Sequence, residues 1–271
     1  MEIPFFNYKN YCKDINYLDL LQEVLETGYL IGGPFIDELE EGIQNYTGIK
    51  HCISVGNATD AMEIIFNYLK LPVGSKVLVP AHTMLATASA AKSANLIPVP
   101  VDVDNKSLMV EIEQLKNCDL TNVSSCMVTQ LNGVVADMKP IKEFCESNNI
   151  YLVEDSAQGL GAFNEKSHSG SWGIGGCLSF YPAKVAGALG DGGAVITNDD
   201  ELAEFSKSVR DHGRGEGLEA INWGRNSRLD SLNARVLIER LKDLEKLIST
   251  RRKLANVYNE ELRELEVKGK L

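Results

Sequence analysis

Metal-binding spacing is missing from this 271-residue chain: its four histidines form no HExxH-type pattern, and none of its six cysteines belongs to a CxxC pair. In a chain of this size, Cys12, Cys52, Cys118, Cys126, Cys145 and Cys177 read as reduced core thiols rather than as a metal or disulfide framework. Positive charge is short as well. The 27 Lys and Arg against 38 Asp and Glu leave a net charge of −11, which argues against nucleic acid or an anionic membrane as the main partner. No apolar run approaches a membrane span, and the opening "MEIPFFNYKNYCKD" lacks the basic and apolar regions of a signal peptide. A soluble cytoplasmic protein is expected. There is no internal repeat and no low-complexity tract.

What is present is alternation. From about residue 50, short apolar runs ("HCISVG", "SKVLVP", "LIPVPVDVD", "SSCMVTQL", "IYLVEDS") are separated by segments with helical spacing ("ATDAMEIIFNYLK", "TMLATASAAKSAN", "KPIKEFCESNN"). "GCLSFYP" and "GGAVITND" read as further strands, and "DELAEFSKSVRDHG" as a helix closed by a glycine cap. Unalternating strands between helices indicate an α/β fold with a mainly parallel sheet covered on both faces. Ligands in such sheets bind beyond the carboxyl ends of the strands. From Leu229 to about Leu265 the pattern becomes one long amphipathic helix or two, with Leu232, Val236, Leu237, Leu241, Leu244 and Ile248 as its apolar stripe.

Three strand ends carry chemistry. After "HCISV", the small residues before Thr59 at a helix start offer free N–H groups and a hydroxyl to an anion, or form an ordinary N-cap with no ligand. After "IYLV" come Glu154 and Asp155; an acid there suits a helix cap, a metal ligand, or the partner of a protonated ring nitrogen. After the third, Lys184 sits among small residues and glycines in "SFYPAKVAGALGDGGAVITND". A lysine near a phosphate cradle and a buried carboxylate matches the needs of pyridoxal phosphate (PLP). The glycine-rich "GSWGIGG" and "GALGDGG" each run into a strand, so neither is a dinucleotide fingerprint.

Taken together, "TGYLIGGPFIDELEE", "GNATDAM", "VPAHTMLATA", "VEDSAQGLGA", "LSFYPAKVAGALGDGGAVITND", "RDHGR" and "NSRLD" resemble the DegT/StrS family of sugar aminotransferases, PLP enzymes of the aspartate-aminotransferase fold. The resemblance covers most of the chain, in the family's order. It implies that Lys184 is the Schiff-base lysine and proton shuttle, that Asp155 holds the pyridinium nitrogen, and that Gln158 bonds the ring's phenolic oxygen. Ala58, Thr59 and Ser179 would grip the phosphate. Asn226 would reach the phosphate of a neighbouring subunit, which implies a homodimer with shared sites. Arg228 and His212 lie where the family often contacts substrate. The implied reaction is ping-pong: an amino donor, commonly glutamate, gives its amino group to the cofactor, which passes it to a keto-sugar on a nucleotide carrier. Surface-polysaccharide or deoxyamino-sugar synthesis would follow. Amination of a cyclitol or aminohydroxybenzoate-type ring, or PLP binding without turnover, are the alternatives.

The sequence departs from the family pattern in places. Met84 stands where an aromatic ring usually stacks on the cofactor, and Asn132 and Arg225 also replace residues that are usually aromatic. The dehydrating branch of the family carries histidine in place of the lysine, so Lys184 argues against it. The resemblance also sets the expected division, a PLP-binding large domain over 1–228 and a helical segment over 229–271 leading toward a largely absent C-terminal small domain.

Overall fold

Apolar runs without alternation need cover on both faces, and the helices between them provide it. The computed structural model describes residues 4, 6–217 and 219–267. Helices α1 (Tyr8–Cys12), α2 (Tyr17–Thr27) and α3 (Pro34–Thr47) precede strand β1 (His51–Val55). Then come α4 (Ala58–Tyr68), β2 (Lys76–Pro80), α5 (Leu85–Ser93), β3 (Ile97–Val101), α6 (Ile112–Lys116), β4 (Val123–Thr129), α7 (Met138–Ser147) and β5 (Tyr151–Asp155). A small hairpin, β6 (Phe163–Asn164) and β7 (Ser167–His168), leads to β8 (Gly175–Ser179), β9 (Gly193–Thr197) and α8 (Asp200–Arg210). Seven strands form one sheet in the order β1-β9-β8-β5-β4-β2-β3. β9 runs antiparallel to both neighbours, and every other pairing is parallel.

Period-two geometry divides the strand residues between the two faces of the sheet. Val77, Met127, Val153, Cys177 and Val195 pack on one face with α4, α5 and α8. Leu178, Ala194 and Ile196 face the other way, toward α3, while Leu78, Cys126 and Leu152 join α6 and α7. Cover stops at β3, where Ile97 is exposed. Pro98 and Pro100 lack the N–H groups a central strand needs, which confines this strand to an edge.

The C-terminal stripe forms two helices, α9 (Ser231–Lys242) and α10 (Leu244–Val267), broken at Asp243. Val236, Leu237, Leu244 and Ile248 are buried, and Leu232 and Leu241 are half-buried. Ala234, Leu237 and Ile238 share a core with Ile36, Leu39 and Ile43 of α3. Beyond it, Leu254, Val257 and Tyr258 are exposed. Among the described residues no helix is long and apolar enough to cross a membrane.

The glycine expected to cap α8 is Gly213, in the turn that follows Arg210. Two consecutive residues take positive φ there, His212 (62°) and Gly213 (81°), and the Gly213 N–H closes the turn onto the Ser208 carbonyl at 2.9 Å. Gly213 is also needed because the backbones of Asn222 and Gly224 approach too closely to admit a Cβ there.

A buried cluster joins α3, β1 and α8. Glu40 Oε1 accepts from the Ser54 N–H at 2.8 Å, the Ser54 hydroxyl at 2.7 Å and the Arg210 guanidinium at 2.6 Å. Removing the acid strands a guanidinium and two donors out of water. Glu40→Ala is therefore expected to cost about 3 kcal/mol, read as a lower urea midpoint at unchanged slope.

Candidate active site

Parallel strands bring their carboxyl ends to one edge, and here that edge collects the ends of β1, β5 and β8 with the start of β9. Gly193 is in register with both Val55 and Ser179. It has to be glycine: a Cβ there would meet the Ala58 nitrogen at 2.5 Å. The start of α4 is thereby pressed against the sheet. Asn57 caps the helix, its Oδ1 accepting from the Asp60 N–H at 2.9 Å. Ala58 and Thr59, whose N–H groups helix geometry leaves without intrahelical acceptors, border a cavity of about 820 Å³.

Lys184 enters this cavity from the loop after β8, in a turn closed by its N–H on the Tyr181 carbonyl at 2.8 Å. Gly187 lies so close to the Pro182 backbone that no Cβ fits, which explains one glycine of this stretch. Burial lowers the pKa of Lys184, against the opposing attraction of Asp155 and Cys177. The neutral amine is the nucleophilic form, so burial favours the species that forms imines.

Asp155, at the end of β5, borders the same cavity and is buried. The Thr87 hydroxyl donates to its Oδ2 at 2.6 Å, and the Ala157 N–H to its Oδ1 at 3.1 Å. Thr87 in turn meets the Thr83 hydroxyl at 2.7 Å, and Thr83 meets that of Thr129 at 3.0 Å. This chain of hydroxyls fixes the carboxylate's orientation. Glu154, one residue earlier, does something different. Its Oε2 accepts from the Gly170 N–H at 2.8 Å and Gln130 at 2.7 Å, and its Oε1 from the Trp172 N–H at 2.7 Å. Burial raises the Glu154 pKa, and these donors oppose the rise. Glu154 ties a loop to the strand; Asp155 faces the cavity.

Met84, Gln158, Ser179 and Asn132 also border the cavity. Gln158 Oε1 accepts from the Asn132 N–H at 2.9 Å. Asn226, Arg228 and His212 are elsewhere within this chain. Asn226 borders a separate recess with Asp60, Trp223 and Arg225. Arg228 donates to Asp211 Oδ1 at 2.7 Å and to Asn226 Oδ1 at 3.1 Å, and His212 is exposed in the turn after α8. Arg225 is held by Asp60 and Glu63. Sequence reading passed over Thr83, Thr87 and Thr129. Each is a single hydroxyl on a different stretch, and nothing in their spacing signals the chain they form.

The donor set can be tested against PLP. An anion cradle of helix N–H groups, a buried carboxylate and a lysine amine of lowered basicity share one cavity, and PLP needs all three. The residues fit. Comparison with known proteins agrees. The family model described as "DegT/DnrJ/EryC1/StrS aminotransferase family" matches residues 12–271. The UDP-2-acetamido-2-deoxy-3-oxo-D-glucuronate aminotransferase of Pseudomonas aeruginosa is 34% identical over 247 residues, which are 91% of this chain and 69% of that protein. The crystal structure of S. venezuelae DesV superposes with a TM-score of 0.92 at 30% identity, covering 96% of this chain and 71% of DesV. NtdA of Bacillus subtilis, solved with bound PMP, superposes with a TM-score of 0.89 at 28% identity, covering 99% of this chain and 62% of that one.

Proposed function

The chain belongs to the DegT/DnrJ/EryC1/StrS aminotransferase family, and from that premise we propose that it is a PLP-dependent transaminase that aminates a keto-sugar carried on a nucleotide. The observation that carries this reading is the meeting of Lys184, Asp155 and the start of α4 in one cavity. When bound, PLP supplies the electron sink that lets an amino group be taken from one molecule and given to another.

In this reading the Ala58 and Thr59 N–H groups and the Ser179 hydroxyl bind the cofactor phosphate. Asp155 would keep the ring nitrogen protonated, Gln158 would bond the phenolic oxygen, and Met84 would pack its thioether on the ring face. The Lys184 amine would anchor the cofactor, and once released it would take the proton from the donor carbon and hand it to the cofactor side, then run the same transfer in reverse for the acceptor. Thr87 positions Asp155. Thr87→Val should weaken PLP binding about tenfold, and Thr87→Ser should restore it, as read by equilibrium titration.

Glutamate is the amino donor of this reading, and its product serves deoxyamino-sugar or surface-polysaccharide synthesis in the cytoplasm. The active form is a homodimer with shared sites. Asn226 lies outside the cavity of its own chain, and beside it Trp223 is fully exposed. Leu18 and Leu25 on α2, with Tyr29 and Leu30 just after it, add exposed apolar area. Both features suit a second copy that receives Asn226 at its phosphate; Arg228 and His212 then reach the substrate across the same interface.

The test is turnover. The PLP-loaded chain, given glutamate and UDP-linked or dTDP-linked keto-sugars, should yield the corresponding amino-sugar nucleotide by mass spectrometry. Release of 2-oxoglutarate without any aminated sugar nucleotide would retire the substrate part of the proposal.

A further inference from the structure

Consecutive arginines at positions 251 and 252 belong to none of the sequence motifs, yet both border the Lys184 cavity. The first turns of α10 hold them there. Ile248 is buried, and its side chain occupies the space a Cβ on Gly161 (φ +81°) would need. The Tyr46 hydroxyl donates to Glu245 Oε1 at 2.6 Å and pins the same turn to α3. Arg251 and Arg252 follow Ile248 by three and four positions, so they share its face of the helix.

Both side chains are exposed. Among the described residues neither guanidinium has a hydrogen-bond or ion-pair partner. The arginines of the sheet domain are engaged, Arg210 with Glu40, Arg225 with Glu63 and Arg228 with Asp211, as is Arg235 of α9 with Glu23; Arg263, farther along α10, does not border the cavity. Among the described residues the only other cationic side chain on the cavity wall is Lys184, whose amine is made less basic by burial. On a chain with a net charge of −11, an anionic substrate is repelled at long range and needs a local source of positive charge.

We infer that Arg251 and Arg252 form the subsite for the diphosphate of the nucleotide-linked substrate, an inference that rests on the keto-sugar nucleotide reading above. The α4 end of the cavity supplies an anion cradle for the cofactor, and α10 supplies a second on a different element. Planar guanidinium forks match phosphate oxygens in paired hydrogen bonds, which an ammonium cannot do. Anchoring the diphosphate here leaves the sugar to extend toward Lys184, and fixes reach by the charged linker rather than by the sugar's hydroxyls.

The test uses the PLP-loaded full chain and its R251A, R252A and R251A/R252A variants. UDP and dTDP binding is measured by calorimetry, beside the KM for glutamate in the first half-reaction. Each single variant should weaken nucleoside diphosphate binding about tenfold, the double variant more, and R251K should recover only part of the loss. The KM for glutamate should move less than twofold. Wild-type binding that survives in the double variant overturns this inference alone. A raised KM for glutamate with unchanged diphosphate binding also overturns it, assigning the pair to the donor's carboxylate. A wild-type chain that binds neither diphosphate overturns the inference together with the nucleotide-sugar reading.

Discussion

Lys184→Ala should lower amino transfer roughly ten-thousand-fold, because on the proposed function it removes both the cofactor's covalent anchor and the group that moves the proton. Lys184→Arg should not rescue activity, since a guanidinium stays charged. The pH dependence has a definite sign. Burial lowers the Lys184 pKa, so the neutral amine gains population below the ordinary lysine range, and the rate of PLP attachment should rise as pH climbs through that lowered value. Stability of the cofactor-free chain follows the same linkage. Between the folded-state and unfolded-state pKa values of this lysine the unfolded chain binds more protons, so stability rises with pH until the unfolded value is passed. Cofactor-free Lys184→Ala should therefore be more stable than the wild type at neutral pH, with a higher urea midpoint. A variant that is inactive yet better folded separates a functional lysine from a structural one.

Asp155→Ala should cost about a thousand-fold in turnover, the scale of losing one preorganised charge at a reaction centre. Two further effects follow from its contacts. The Thr87 hydroxyl loses its acceptor at 2.6 Å, which loosens the Thr83–Thr87–Thr129 chain. The attraction that holds up the Lys184 pKa also disappears, so the pH profile of PLP attachment should shift further down. Asp155→Asn keeps the shape without the charge. If Asn recovers PLP retention but not turnover, the carboxylate acts through its charge; if it recovers both, it acts through packing.

Much of the site was legible because strand ends are marked in sequence. "GNAT" opening a helix, "ED" closing a buried run and the lone Lys184 after "SFYPA" each sit where a parallel sheet exposes residues at its edge. Alternation along a strand sends Glu154 and Asp155 to opposite faces, but it was the family resemblance that picked out Asp155. Their partners were not legible. The threonines around Asp155 come from the loop before α5, its first turn and β4, and only folding brings them together. Arg251 and Arg252 look like any solvated helix face until α10 is docked by Ile248 and Glu245. The glycine at the end of α8 was legible, but not that His212 shares its positive φ or that Gly213 also admits the close approach of Asn222 and Gly224.

Everything proposed for the site depends on Lys184 carrying the cofactor. Borohydride reduction of the PLP-loaded chain, followed by peptide mapping, tests it most directly, because reduction fixes the cofactor to whichever amine holds it. The account predicts one phosphopyridoxyl adduct, on the peptide containing Lys184, and its absence from Lys184→Ala. An adduct on any other lysine, or none in a wild-type chain saturated with PLP, would contradict it.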